Sequence, residues 1–308
     1  GTTTAGALCA GAAGVMWLLG EVFARRRRLF LPAIAIVCAL TFFAIVAAAL
    51  LYAGVVLGRG FESEPSWQSV PPELRNGILL SAAFAVLAPM AFYARFRLPF
   101  SLGLAGGGFA GFVLVAALTW NAEQTLTMLP VLYLGLGLLL FLGGVGFDAR
   151  DPERATRFSD NGFWLHFAAA PLVLNGAFGL ISKAFGGGAM EAMSPSGGLI
   201  AAGVQGDGVL QAAATLLIVV ALGFVSLLIN RRVLIVSALL TTGVAIGILM
   251  NSVGLGAGAL AASTLIVLGA FVLILGAGWH VVRRALLSWV KPGGAWARIF
   301  PPEAPAAA

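Results

Sequence analysis

The stretch FLPAIAIVCALTFFAIVAAALLYAGVVL, residues 30–57, contains no charged side chain. A helix needs about 20 mostly apolar residues to cross the hydrocarbon core of a bilayer, so this stretch is long enough to span one. A strand of a membrane barrel would instead alternate between apolar and polar residues over a shorter length. The stretch therefore predicts an α-helical integral membrane protein.

The whole chain has the same apolar character. It has 308 residues, of which 60% are hydrophobic and 10% charged, and its mean hydropathy is +1.00. An ordinary soluble domain has roughly 25% charged residues, and a water-soluble fold could not bury this much apolar surface. We expect a single transmembrane domain over residues 1–308. Because the chain begins with Gly1 and not with Met, we also expect an upstream segment.

Further segments match the first in length and apolarity. The sequence predicts an all-α, polytopic helix bundle of about nine transmembrane helices, at about 3–20, 30–57, 76–94, 98–119, 126–147, 162–182, 209–229, 233–250 and 259–280.

The basic residues predict the orientation of these helices. Connections between successive spans lie alternately on the two sides of the membrane. Of the 18 Lys and Arg residues, one side has only Arg59, Arg75 and Lys183, and the connections of the other side and the tail have the rest. The positive-inside rule then places the C-terminus in the cytoplasm. The expected location, a bacterial inner membrane, is implied by the first resemblance described below. In the tail, residues 280–308, apolar side chains at helical spacing favour a short interfacial helix; a continuation of the last span is the alternative.

The same distribution predicts the partners. Basic loops next to a membrane attract anionic lipid headgroups, so we expect the lipid bilayer and those headgroups as partners. Nucleic acid is not expected, because short clusters do not form a basic face with stacking aromatics. Gly103, Gly107 and Gly111 follow the small-xxx-small pattern of close helix packing, which is compatible with a homo-oligomer or a membrane partner subunit.

Catalytic and metal-binding patterns are missing from the sequence. The two histidines, His166 and His280, lie more than a hundred residues apart, and no HExxH, GxSxG or paired carboxylates occur. No charged residue lies near the centre of a predicted span, which argues against a buried carboxylate relay. No cofactor and no metal site are predicted, and an enzyme is not favoured.

Polar residues concentrate instead around the start of the sixth predicted span. Ser159, Asp160 or Asn161 could cap this helix. His166 lies about two turns after Ser159 and so faces the same way, whereas Asn175 lies on roughly the opposite face. A protonatable His166 would make the activity pH-sensitive. The candidate functional cluster comprises Arg154, Ser159, Asp160, His166 and Asn175.

Two resemblances fall on this region. The sequence SDNGFWLH at 159–166, with AAAPL at 168–172, resembles the S-D-x-x-F-W-L-H and A-A-P segment of a group of bacterial polytopic membrane proteins whose activity is not known. The run RRRRL at 25–29 with Pro32 resembles their early cytoplasmic turn. This resemblance implies a multi-pass bacterial membrane protein and no particular activity.

The second resemblance is shorter. Arg154, with FSD at 158–160 and Phe163, is similar to the R-x-x-x-F-S-D-x-x-F signature of the FSD-motif potassium-channel family. In that family the Arg, Ser and Asp tie helices together around an apolar pore. The resemblance implies this role for Arg154, Ser159 and Asp160, although here the motif precedes the sixth predicted span and not the first.

Three functions remain open from the sequence. A channel or transporter for a small ion or solute is favoured by the number of spans and by the polar sixth helix. A structural or assembly subunit of a larger membrane complex is the second, because central charges are absent from the spans. A membrane enzyme or lipid-handling protein is the third.

Overall fold

The computed structural model describes residues 1–56, 70–151 and 156–184, together with the isolated residues 221, 224, 225, 228, 266, 284, 285 and 287. Every regular element in these ranges is a helix: α1 (Thr2–Gly20), α2 (Phe30–Val55), α3 (Pro72–Phe96), α4 (Pro99–Trp120), α5 (Ala122–Asp148) and α6 (Arg157–Ala184), with a π-helical extension of α1 over Glu21–Arg26.

The described helices have the length and composition expected of membrane spans. All six are long and apolar enough to cross a bilayer. Each coincides with one of the first six predicted spans to within five residues at either end, which confirms the all-α architecture for this part of the chain. The predicted spans 209–229, 233–250 and 259–280, and the tail 280–308, lie outside the described residues apart from the isolated ones.

The chain divides into two units, Gly1–Met128 and Leu129–Ala308, and the boundary falls within α5. Unit 1 contains two helical hairpins, α1–α2 and α3–α4, whose turns have the same backbone conformation. Arg28 and Arg97 are both left-handed with φ of 52°. Each is followed by an extended leucine, Leu29 (φ −83°, ψ 117°) and Leu98 (φ −78°, ψ 116°), at which the next helix begins.

Aromatic rings fill the centre of unit 1. Phe92 is fully buried, and its ring meets that of Phe96 at 4.3 Å and that of Trp17 at 6.3 Å between centroids. Gly20 makes room for this cluster, because a Cβ atom there would lie 2.9 Å from the Phe92 ring. The end of α1 is therefore fixed against α3 by aromatic packing at a position where only glycine fits.

Close packing of α4 against α3 in unit 1 uses Gly108. Gly103 is buried, but Gly107 and Gly111 are exposed, with nothing within 4 Å of a Cβ atom at either position. Gly108 instead lies against the backbone carbonyl of Ala85 in α3. The contact predicted for Gly103, Gly107 and Gly111 with a second copy or a partner subunit concerns another chain and stays a prediction.

In unit 2, α5 and the first six turns of α6 pack antiparallel along a line of small residues. A Cβ atom at Gly179 would lie 2.8 Å from Pro130, one at Gly176 would approach Leu134, and one at Gly137 would lie 2.7 Å from the backbone nitrogen of Val173. Both helices contribute glycines to this line, which lets the backbones approach more closely than larger side chains would allow.

Candidate functional site

The line of small residues ends at a buried polar pair. His166 of α6 is fully buried, and Asp148, the last residue of α5, is 8% exposed. The imidazole Nε2 lies 3.1 Å from the carboxylate Oδ2 of Asp148. The pair lies between two helices that are long and apolar enough to cross a membrane. Ionisable groups inside a membrane are expensive to bury and are usually functional.

Two glycines make the space for this pair. A Cβ atom at Gly144 would lie 2.8 Å from the imidazole Cε1, and a Cβ atom at Gly162 would collide with the Asp148 carboxylate. The ring of Phe141, one turn before Gly144, packs against the imidazole with 4.9 Å between centroids. Any larger residue at either glycine would push the two helices apart, so the sequence is fitted to this polar contact.

The protonation of the imidazole determines what the pair can do. With a proton on Nε2, His166 donates a hydrogen bond to the Asp148 carboxylate. Its second nitrogen, Nδ1, is also buried and has no hydrogen-bond partner among the residues that the structure describes. A second proton at Nδ1 would convert the contact into an ion pair. The imidazole thus has one nitrogen in contact with the carboxylate and one without a described partner.

The structure separates the predicted cluster into two groups. Ser159 and Asn161 are buried, and Ser159 shares the buried face of α6 with His166, as predicted. Asp160 and Asn175 are exposed, and the Asn175 side-chain amide donates a hydrogen bond of 2.7 Å to the carbonyl of Pro171 on its own helix.

The remaining member of the predicted cluster, Arg154, lies outside the described residues. Of the five predicted site residues, the buried face of α6 thus presents Ser159 and His166. Asp160, which the channel resemblance would give a role in tying helices together, lies on the exposed side.

The predicted cap of α6 was also wrong. The helix begins at Arg157, and the N–H of Phe158 donates to the hydroxyl of Thr156 at 3.3 Å. Thr156 is held in turn by Asp151, whose carboxylate Oδ2 accepts from its N–H at 2.8 Å and from its hydroxyl at 2.6 Å. Thr156 therefore occupies the capping position, one turn earlier than expected, and Ser159, Asp160 and Asn161 lie within the helix.

Sequence reasoning missed Asp148. The signal that could have found it is the pair of glycines. In an antiparallel hairpin, a glycine four residues before Asp148 and another four residues before His166 would lie opposite the two bulky polar groups.

Comparisons with protein-family models, with curated proteins and with solved structures gave no match for this chain. Within the described part of the chain, no group of three or more His, Cys, Asp or Glu side chains could hold a metal ion.

Proposed function

We propose that the protein is a channel or transporter for a small ion or solute, and that its activity depends on the protonation of the His166–Asp148 pair. The observation that carries this proposal is the 3.1 Å contact between a fully buried imidazole and a nearly buried carboxylate on neighbouring membrane-crossing helices.

Burial of such a pair is hard to explain by stability alone. Replacing a buried ion pair by well-packed apolar residues is often neutral or stabilising. Here the helices also give up side-chain packing at Gly144 and Gly162 to accommodate the polar groups. A role that needs a proton acceptor within the membrane domain accounts for both features.

Proton uptake gives the pair a way to change the packing of the two helices. The imidazole fits against the α5 backbone at Gly144, so a change in its charge or its hydrogen bonds acts directly on the contact between α5 and α6. The glycine contacts at Gly137 and Gly176 have no long side chains to interlock, which favours small shifts of one helix along the other.

The similarity of residues 154–163 to the FSD-motif channels supports an ion as the transported species, and potassium and protons are the first to test. The experiment is flux into proteoliposomes that contain the purified full chain, measured for both ions over a range of pH. His166→Gln and Asp148→Asn replace each group by a neutral side chain of similar size. We expect pH-dependent flux from the unaltered protein, and loss of that dependence in both variants.

Asn175→Ala is the matched control, because Asn175 is an exposed polar residue of α6 whose side chain bonds to its own helix. This variant should retain the flux of the unaltered protein and its pH dependence. Flux no higher than in empty liposomes, from protein that is shown to be folded, would refute the transport proposal and favour a subunit of a larger membrane complex. Flux with unchanged pH dependence in His166→Gln would refute the role of the pair.

We also propose the full topology that the basic residues predict: nine spans with the C-terminus in the cytoplasm, in a bacterial inner membrane. Support comes from the uneven division of the 18 basic residues between alternate connections. It also comes from Glu21, whose carboxylate contacts both Arg25 and Arg95. These two arginines belong to separate connections, and both connections are predicted to be cytoplasmic. Labelling of single introduced cysteines in the tail and near Arg75 by a membrane-impermeant thiol reagent tests this topology.

A further inference from the structure

The turn end of unit 1 carries a dense positive charge. The two hairpin turns and the residues just before them contribute six exposed arginines, which we call the basic turn surface: Arg25, Arg26, Arg27, Arg28, Arg95 and Arg97. Among the described residues, Glu21 is the acid that forms ion pairs with this set, and it contacts two of its members.

Glu21 connects the two turns. Its carboxylate accepts from Nε of Arg95 at 2.7 Å and lies 3.2 Å from Nη1 of Arg25. The α1–α2 turn and the end of α3 are thereby held next to each other. One carboxylate balances only one of the six positive charges, so the surface retains a large positive excess at the ends of helices that cross the membrane.

Apolar side chains adjoin these arginines. Leu29, Phe30 and Leu31 follow Arg28 directly and are 42%, 49% and 76% exposed. A surface with arginines on one side and exposed leucine and phenylalanine on the other matches the boundary of a bilayer, where phosphates lie above acyl chains. A soluble anionic partner would use the arginines but would leave these apolar side chains in water.

The backbone at the two turns adds a further observation. Arg28 and Arg97 adopt left-handed conformations, which a glycine or asparagine would adopt more easily than an arginine. Both hairpins nevertheless have an arginine at this position. Its side chain therefore has a use that offsets the unfavourable backbone, and guanidinium groups bind phosphate oxygens through paired hydrogen bonds.

We infer that the basic turn surface is a binding site for an anionic phospholipid, with Arg28 and Arg97 as ligands of its phosphate and Leu29, Phe30 and Leu31 in contact with its acyl chains. The inference rests on the proposed membrane location but not on the proposed transport. It identifies a particular site within the general attraction of basic loops for acidic membranes.

Native mass spectrometry of the full chain in detergent tests the site, with phosphatidylglycerol and phosphatidylcholine as the two lipid probes and sodium phosphate as a competitor. We expect phosphatidylglycerol to bind at least tenfold more tightly than phosphatidylcholine. Arg28→Gly and Arg97→Gly should each weaken phosphatidylglycerol binding by about fivefold, which is the contribution of one basic residue at a charged membrane surface.

The glycine variants separate a binding role from a structural one. Glycine suits a left-handed position, so these variants should unfold at the same temperature as the unaltered protein or higher. Arg28→Lys and Arg97→Lys keep the charge and should lose less affinity than the glycine variants. Arg75→Gln is the control: it removes one positive charge from the start of α3, where Arg75 lies over the ring of Trp120, and should leave lipid binding unchanged.

Three results would overturn the inference. The first is equal binding of the two lipids by the unaltered protein. The second is unchanged phosphatidylglycerol affinity in both glycine variants. The third is displacement of phosphatidylglycerol by millimolar sodium phosphate, which would assign the site to a free anion. None of these results depends on ion flux, so failure of this inference and failure of the transport proposal can be told apart.

Discussion

Each unit of the protein contains an acid in contact with a basic side chain, but in opposite surroundings. In unit 1, Glu21 meets Arg25 and Arg95 with side chains that are 28%, 57% and 42% exposed. In unit 2, Asp148 meets His166 with side chains that are 10% and 0% exposed. The distances are nearly the same, at 2.7–3.2 Å and 3.1 Å.

The difference in exposure separates two uses of charge. Exposed ion pairs are screened by solvent and contribute little to stability. The arginines around Glu21 are therefore free to take part in the proposed orientation of the chain in the membrane and in the proposed lipid binding. In the protein interior an acid and a basic side chain interact more strongly. The loss of one of them leaves a buried polar group without its partner. The exposed cluster should therefore tolerate substitution, whereas the buried pair should not.

The largest effect is expected for Asp148→Ala. It leaves the buried imidazole of His166 without its carboxylate, and loss of one partner of a buried pair lowers the free energy of unfolding by about 3 kcal/mol. Thermal or denaturant unfolding in detergent measures this change. Asp160→Ala removes an exposed acid from α6 and should change stability by no more than about 0.5 kcal/mol. Equal effects of the two substitutions would contradict the assignment of Asp148 as the buried partner.

The next effect concerns the space around the imidazole. Gly144→Ala places a methyl group 2.8 Å from His166, and overpacking of this kind lowers stability by about 1–3 kcal/mol. Gly146→Ala, two residues later, puts the same methyl group where nothing lies within 4 Å. It should be neutral or stabilise the helix by up to about 1 kcal/mol. A destabilised Gly146→Ala with an unaffected Gly144→Ala would show that α5 has a different rotation.

A smaller effect of opposite sign is expected in α4. Gly107 lies in open space, and alanine there should raise stability by about 0.5–1 kcal/mol through helix propensity. Its neighbour Gly108 touches the backbone of Ala85, so Gly108→Ala should instead lower stability as α3 and α4 are forced apart. Destabilisation by Gly107→Ala and not by Gly108→Ala would show that α4 turns a different face toward α3.

The smallest effect is expected for Glu21→Gln, which removes both exposed ion pairs of unit 1. The loss of stability should be less than that in Asp148→Ala, and it should disappear at high salt because screened pairs contribute little there. Unfolding of the variant and the unaltered protein at two salt concentrations provides the comparison. A loss that persists at 1 M salt would mean that the Glu21 cluster is not screened by solvent.

Helix positions could be predicted from the sequence because hydropathy follows directly from composition. The run at residues 30–57 contains no charge, and the described helix is Phe30–Val55. The helix ends were predicted less accurately. The prediction began the sixth helix near Gly162, whereas α6 begins at Arg157 and is capped by Thr156.

Side-chain partners could not be predicted in the same way. Each residue turns a helix by 100°, so one residue of uncertainty at a turn changes which side chains meet. This is why His166 was identified without Asp148, and why the contact of Gly108 with Ala85 was not predicted. Asn175 was correctly predicted to face away from His166, because both lie on one helix and need no register between helices.

One measurement tests the central claim, that protonation of His166 governs transport. The chain has only two histidines, so a His280→Gln variant with ¹⁵N-labelled histidine gives the imidazole signals of His166 alone by solid-state NMR in lipid. The predicted result is that the Nδ1 signal changes from unprotonated to protonated over the same pH range in which proteoliposome flux changes. An imidazole that keeps one protonation state throughout that range would contradict the claim.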